Sequence, residues 1–211
     1  GAAVVCGDID LAQAGETARR IADTGGRALA VAGDVASEAS NAALLARAEA
    51  EFGVLHVAFL NAGILRRGTV METPPEVFDE VMAVNLRGVF LGLRATLPAI
   101  RRAGGGAIVV TASSVALRTD PELACYSVSK HALIGLVQAA AAEAAAWGIR
   151  VNAVCPGAVA TPMTAAADTA PGGALARLHP MGRVGTAEDI AELVVFPASA
   201  RASFITGAAY P

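Results

Sequence analysis

Tyr126 and Lys130 stand four residues apart in a stretch with helical spacing, so their side chains share one face. A free phenol titrates near ~10 and is a poor base at neutral pH, whereas a nearby ammonium favours phenolate and lowers that value. Such a pair can act as a general acid/base near neutrality. Taken alone, the same spacing also describes an ordinary surface pair. Here it joins one of two tyrosines to the only lysine in the chain. The neighbouring candidates are Ser113 and Ser114, which follow a β-branched run ahead of Tyr126. Hydrolase chemistry through Ser113 lacks the strained Gly-x-Ser-x-Gly turn. His56, His131 and His179 pair with no nucleophile at a recognisable spacing. Cys6, Cys125 and Cys155 fit no zinc or disulfide spacing, which predicts a reducing, cytoplasmic setting.

The elements that must position these residues are short apolar runs alternating with helix-like stretches. Residues 4–6, 28–32, 57–60, 108–110, 151–154 and 204–205 read as strands. Residues 11–23, 38–52, 75–102, 125–147 and 187–198 read as helices. Strands without polar alternation suit a parallel sheet covered on both faces. The alternation predicts an α/β, doubly wound, Rossmann-like single domain over residues 1–211. In such a sheet, ligands sit beyond the carboxyl ends of the strands. The residues there are Asp8, Asp34, Asn61-Ala62-Gly63, Ser113-Ser114 and Pro156-Gly157, all small or polar turn formers.

Composition narrows the function classes. The chain has 211 residues, 55% hydrophobic and 17% charged, with a formal net charge of −3. A nucleic-acid or anionic-membrane surface is disfavoured, and no apolar run reaches the ~18–20 residues of a membrane span.

The run Val109-Val110-Thr111-Ala112-Ser113, then Tyr126-Ser127-Val128-Ser129-Lys130, then Pro156-Gly157-Ala158-Val159-Ala160-Thr161 resembles the short-chain dehydrogenase/reductase family. Leu60-Asn61-Ala62-Gly63 is similar to that family's Asn-Asn-Ala-Gly turn, and Asn85 matches its helix asparagine. The resemblance implies an oxidoreductase that moves hydride between NAD(H) and a small secondary alcohol or ketone. It implies that Tyr126 exchanges the proton with the substrate oxygen. Lys130 would lower the tyrosine pKa and bind the nicotinamide ribose, Ser113 would hold the substrate oxygen, and Asn85 would anchor a proton-relay water. Ser113 lies thirteen residues before Tyr126 and seven after Gly106, in the family's register, and is preferred to Ser114. On the cofactor side, Asp8 would accept from the adenosine ribose, which favours NAD over NADP. Asp34 and Val35 would contact adenine, with Asn61, Ala62 and Gly63 along the cofactor. Pro156, Gly157, Val159 and Thr161 would lie around the nicotinamide. Asp8 could instead cap the helix that begins at Leu11, a task open to Asp10.

By the same resemblance, residues 165–183 cover the substrate, offering Arg177 and His179 as polar contacts. Gly135, Ala139, Ala142 and Ala146 line a small-residue stripe, and the family pairs this helix and the 75–102 helix in a homodimer or homotetramer. The chain departs from the family in lacking the first strand, Gly-rich turn and first helix that hold the pyrophosphate. An incomplete fold is therefore expected, with two sheet pieces and weak NAD binding. Two rival readings are a 3-oxoacyl-thioester reductase using NADP(H), and a non-catalytic partner subunit of the same fold. The first needs a basic residue beside Asp8, and none adjoins it.

Overall fold

Parallel pairing organises the strands into two pieces. In the computed structural model, which describes all residues except Ala166, Asp168 and Pro171, β1 (Ala3–Asp8) pairs with β2 (Arg27–Ala32). The second piece runs β3 (Val57–Leu60), β4 (Gly106–Thr111), β5 (Ile149–Val154) and β6 (Ala209–Tyr210), again all parallel. Between the strands lie α1 (Leu11–Asp23), α2 (Glu38–Phe52), α3 (Pro75–Met82), α4 (Gly88–Arg102) and α5 (Ala124–Ala144). The short α6 (Ala174–Arg177) and α7 (Ala187–Ala198) separate β5 from β6. This is the doubly wound α/β architecture, with its sheet divided between β1 and β3.

Local chemistry sets the helix ends. Asp10 caps α1 by accepting from Ala12 N at 2.8 Å, and Ser37 caps α2 through Ser40 N at 3.3 Å. Gly53, with φ 85°, ends α2 in a conformation few other residues adopt. Thr186 and Asp189 form a reciprocal capping box at α7.

The core lies between β4, β5 and the helices on them. Ile100, Ile108, Leu133, Val137, Ile149 and Val151 are fully buried there. The two sheet pieces are joined through α2 and α4. Val35, just beyond β2, touches Gly88, where an added Cβ would lie 2.9 Å from its Cγ2. Arg94 pairs with Glu38, Arg102 with Glu49, and the Arg87 guanidinium donates to the Ala36 carbonyl. On β3, Leu60 packs under Gly92 of α4. On the opposite face of β3, Val57 and Phe59 stay 43% and 45% exposed. A parallel strand ordinarily has both faces covered, so one side of the sheet lies open here.

Two expected elements differ from the structure. Residues 75–102 form a continuous rod, but a π-helical turn over Ala83–Arg87 separates α3 from α4. Residues 204–205 form no strand. A 3₁₀ turn at Ala200–Ala202 carries the chain past them and leaves Phe204 fully exposed. The Thr206 hydroxyl then accepts from Val151 N at 3.0 Å and Gly207 N donates to Val151 O, so β6 begins only at Ala209.

Two glycines test this packing. A Cβ on Gly106 would lie 2.0 Å from the His56 carbonyl, which is held by Ala107 N, while nothing lies within 4 Å of one on Gly15 in α1. Gly106→Ala should lower the urea-unfolding free energy by about 3 kcal/mol. Gly15→Ala should raise it by about 0.5–1 kcal/mol. Equal effects from the two would contradict the packing described.

Candidate active site

The carboxyl ends of β3, β4 and β5 converge on one spot. Past the strand ends the parallel register continues, with Ala112 N donating to Val154 O and Ser114 N to Pro156 O, both at 2.8 Å. Ser113 sits between them in extended backbone and caps a 3₁₀ turn, its Oγ accepting from Val115 N at 3.3 Å. That hydroxyl donates to Pro156 O at 3.5 Å and lies near enough to the Tyr126 phenol to favour its charged form. Ser113, rather than Ser114, is thus the serine at the tyrosine.

Tyr126 lies in the first turn of α5. The helix start is set by a loop that follows β3. Gly68 N donates to Glu122 O at 2.8 Å, and Ala124 N donates back to Gly68 O at 3.3 Å. Between these contacts Glu122 adopts φ 60°, a left-handed conformation that costs energy for a non-glycine residue. Gly68 has φ 159°, and a Cβ there would lie 2.5 Å from Thr73 Oγ1.

One turn on, Lys130 is 3% exposed and its Nζ donates to the Thr111 carbonyl at 2.7 Å. Its ammonium lies 5.7 Å from the centre of the Tyr126 ring. Burial pulls the Lys130 pKa down from 10.5 to about 8, with the Cys155 thiol opposing. Burial pushes the Tyr126 phenol up, and only the Ser113 hydroxyl opposes it.

Asn85 is fully buried inside the π-helical turn. Its Oδ1 accepts from Ile64 N at 2.8 Å while its Nδ2 donates to Ile64 O at 2.9 Å. The side chain therefore rivets the Asn61-Ala62-Gly63 turn to the helix. Gly63 lies against both groups, and a Cβ there would sit 3.4 Å from Asn85 Oδ1 and 3.5 Å from Lys130 Nζ. Asn61 Oδ1 accepts from Thr111 Oγ1 at 2.8 Å, tying β3 to β4 at their ends.

Asp8 ends β1 and Asp34 lies two residues beyond β2, on the other sheet piece from Tyr126 and Lys130. Asp10 supplies the helix cap, so Asp8 is not the α1 cap. One Asp8 oxygen accepts from Asp10 N at 2.9 Å. Asp34 Oδ1 accepts from Ala36 N at 2.9 Å, next to Val35 on Gly88. Beyond β5, the Val159 carbonyl accepts from Thr164 Oγ1 at 2.6 Å and from Thr161 Oγ1 at 3.4 Å. The two ends of a nicotinamide dinucleotide fit these residues: an exposed carboxylate at Asp8, and a glycine-lined approach to Lys130 and Tyr126 at the other end.

Sequence reasoning missed Ser129. It is fully buried, accepts from Asn85 Nδ2 at 3.1 Å and donates to the Tyr126 carbonyl at 2.7 Å. Its position three residues after Tyr126 and one before Lys130 was the available signal. Arg177 turns inward on its own segment, donating to Gly172 O, while His179 lies between Leu175 O and the Ala158 amide. His56 precedes β3 at the far end of the sheet from the site. Among the described residues, no His, Cys, Asp or Glu cluster could hold a metal, and no helix is long and apolar enough to cross a membrane.

Residues 1–211 match the family described as Enoyl-(Acyl carrier protein) reductase. The chain is 41% identical over 211 residues to the cyclohexanol dehydrogenase of Acinetobacter sp. (strain SE19), covering 100% of this chain and 83% of that one. It is similar to the crystal structure of levodione reductase, with a TM-score of 0.92 at 31% identity, covering 100% of this chain and 86% of the other. It is also similar to the 3-ketoacyl-(acyl-carrier-protein) reductase from Brucella melitensis solved with NADH, with a TM-score of 0.89 at 36% identity and coverages of 100% and 86%. With Ser113, Tyr126 and Lys130 gathered at the end of a parallel sheet, and with this likeness running along the whole chain, the protein belongs to the short-chain dehydrogenase/reductase family and is an NAD(P)-dependent oxidoreductase.

Proposed function

We propose that the protein interconverts a small secondary alcohol and its ketone using NAD(H), with Tyr126 as the proton donor and acceptor. The observation that carries this reading is the half-buried Tyr126 ring with the buried Lys130 ammonium 5.7 Å from its centre, beside the buried Ser113 at the end of β4. A bound nicotinamide supplies or takes up the hydride. Tyr126 Oη takes the proton of the alcohol oxygen in oxidation and returns it in reduction. Ser113 Oγ orients that oxygen. Lys130 holds the end of β4 through Thr111 O and places a cation beside the ring. Asn85 fixes the glycine turn along which the cofactor would approach.

Four further readings belong to this proposal. Asp8 supports NAD over NADP, because its carboxylate is not consumed in capping α1 and would repel a 2′-phosphate. The divided sheet and the open face at Val57 and Phe59 support a further strand and helix between β1 and β3, carrying the phosphate-binding turn. The groove between Asp79, Arg87, Phe90 and Leu136, with Phe90 50% exposed, supports pairing of α4 and α5 with a second copy. An apolar substrate is supported by the segment after β5. Its Arg177 and His179 are engaged internally, while Leu178 and Met181 are 72% and 79% exposed. The relative named cyclohexanol dehydrogenase supports the same reading.

Tyr126→Phe should reduce turnover of secondary alcohols, followed by nicotinamide absorbance, by about a thousandfold while cofactor affinity is largely kept. Lys130→Met should also be inactive, yet more stable by about 1–3 kcal/mol at pH 7. The sign follows from burial. The folded-state pKa of about 8 lies below 10.5, so the charged form is penalised below pH 8, and native stability rises as pH climbs between these values. The Met variant should lack that rise. A Phe variant with most of its activity would refute the assignment of Tyr126.

Calorimetric titration addresses the cofactor readings. Residues 1–211 alone should bind NAD more weakly than micromolar, and in the intact enzyme Asp8→Ala should shift the NAD/NADP preference toward NADP by at least about tenfold. Micromolar binding by the isolated chain, or an unchanged preference, would count against them. Light scattering of the intact enzyme should show a dimer or tetramer, with Phe90→Asp shifting it toward monomer. A monomer throughout would exclude the pairing.

A further inference from the structure

His179 lies outside the tyrosine–lysine cluster, but both of its ring nitrogens are engaged. Nδ1 is 2.9 Å from the Leu175 carbonyl, and Nε2 is 2.9 Å from Ala158 N. A carbonyl oxygen can only accept and a backbone N–H can only donate, so the two partners select one state of the ring. It is the neutral imidazole with its proton on Nδ1 and its lone pair on Nε2. An imidazolium would set N–H against N–H at Ala158.

Backbone geometry gives a second, independent observation. A Cβ on Gly157 would lie 2.8 Å from His179 Nε2 and 3.2 Å from Cδ2. The room left by the missing side chain is occupied by this ring. Gly157 is thus required here by His179, in addition to any approach of a cofactor.

The ring joins two pieces of chain that are each organised separately. On one side, the turn beyond β5 is braced by Gly185, which donates to Ala158 O and accepts from Ala160 N, both at 2.9 Å. On the other, α6 buries Ala176 completely, and the next turns close through His179 N on Ala176 O and Gly182 N on His179 O. His179 links the second body to the first across twenty-one residues.

We propose that His179 is a positioning residue that pins the segment around α6 to the turn at Gly157-Ala158, so that one neutral imidazole sets the substrate cover and the nicotinamide-side turn together. This rests on the reading, given above, that these two pieces face substrate and cofactor. Loosening the pin should weaken binding of both ligands at once and leave the proton-transfer group in place.

The test uses the intact enzyme. Nitrogen NMR of the wild-type ring at neutral pH should show Nδ1 protonated and Nε2 bare. In His179→Ala, exchange of the Ala158 amide and proteolysis within residues 172–182 should rise, and KM for both alcohol and cofactor should increase about tenfold, with kcat changed much less. His179→Gln, whose side-chain carbonyl can accept from Ala158 N, should restore most of the loss. A wild-type ring protonated on Nε2 would overturn the proposal, whether or not the variants fold. So would an Ala variant of lowered thermal stability with both KM values unchanged, or a Gln variant no better than Ala. The tautomer and exchange rates need no turnover, so they decide the pinning even if the alcohol–ketone reading fails.

Discussion

The site is built around a buried ammonium. Lys130 Nζ ends 2.7 Å from the Thr111 carbonyl, at the point where β4 gives out and its last C=O has no strand partner on that side. A cation in such a place is expensive, and burial draws its pKa down to about 8. It is tolerated because polar groups converge on it. Gly63 leaves space beside it, Asn85 holds the adjoining turn, and Cys155 and Tyr126 lie near. Each of these groups comes from a different element, so β3, β4, β5, the π-helical turn and α5 must all be correctly placed for the ammonium to be accommodated. The function and the packing of the sheet's carboxyl end are one constraint.

Stability and chemistry pull apart at that point. A methionine would suit the hole better than a lysine does, and Glu122 accepts a left-handed backbone just before the catalytic helix. Unfavourable local choices that persist because the surroundings over-determine them are the physical signature of a functional site. The only lysine of the chain stands at this point, whereas surface pairs such as Arg19 with Glu16 and Asp23 use arginine.

Much of this was legible from residue types alone. The boundaries of α1, α2, α7 and β3 follow from caps, glycines and apolar runs, and the nearness of Tyr126 to Lys130 from their spacing. What was not legible depends on contacts between distant segments. Phe204 and Ile205 have strand propensity, but the Thr206 hydroxyl takes the Val151 amide first and shifts pairing to Ala209. Nothing local to residues 83–87 announces a π-helical turn, and its Asn85 meets a partner, Ile64, twenty-one residues earlier. His179 reads as a loop histidine until Gly157 is brought against it. The phenol's upward shift is likewise a matter of burial, which spacing does not report.

The π-helical turn has a consequence for the history of the chain and for its redesign. A π turn spends one residue more than an α turn to advance the same way along the axis, so the rod from Pro75 to Arg102 carries what amounts to a frozen insertion. Deleting a single residue between Ala83 and Arg87 would heal the hydrogen-bond ladder and give a more regular helix. It would also rotate Asn85 off Ile64 and release the glycine turn. An optimiser that rewards helical regularity would select that deletion, and the helix it produced would no longer build a site.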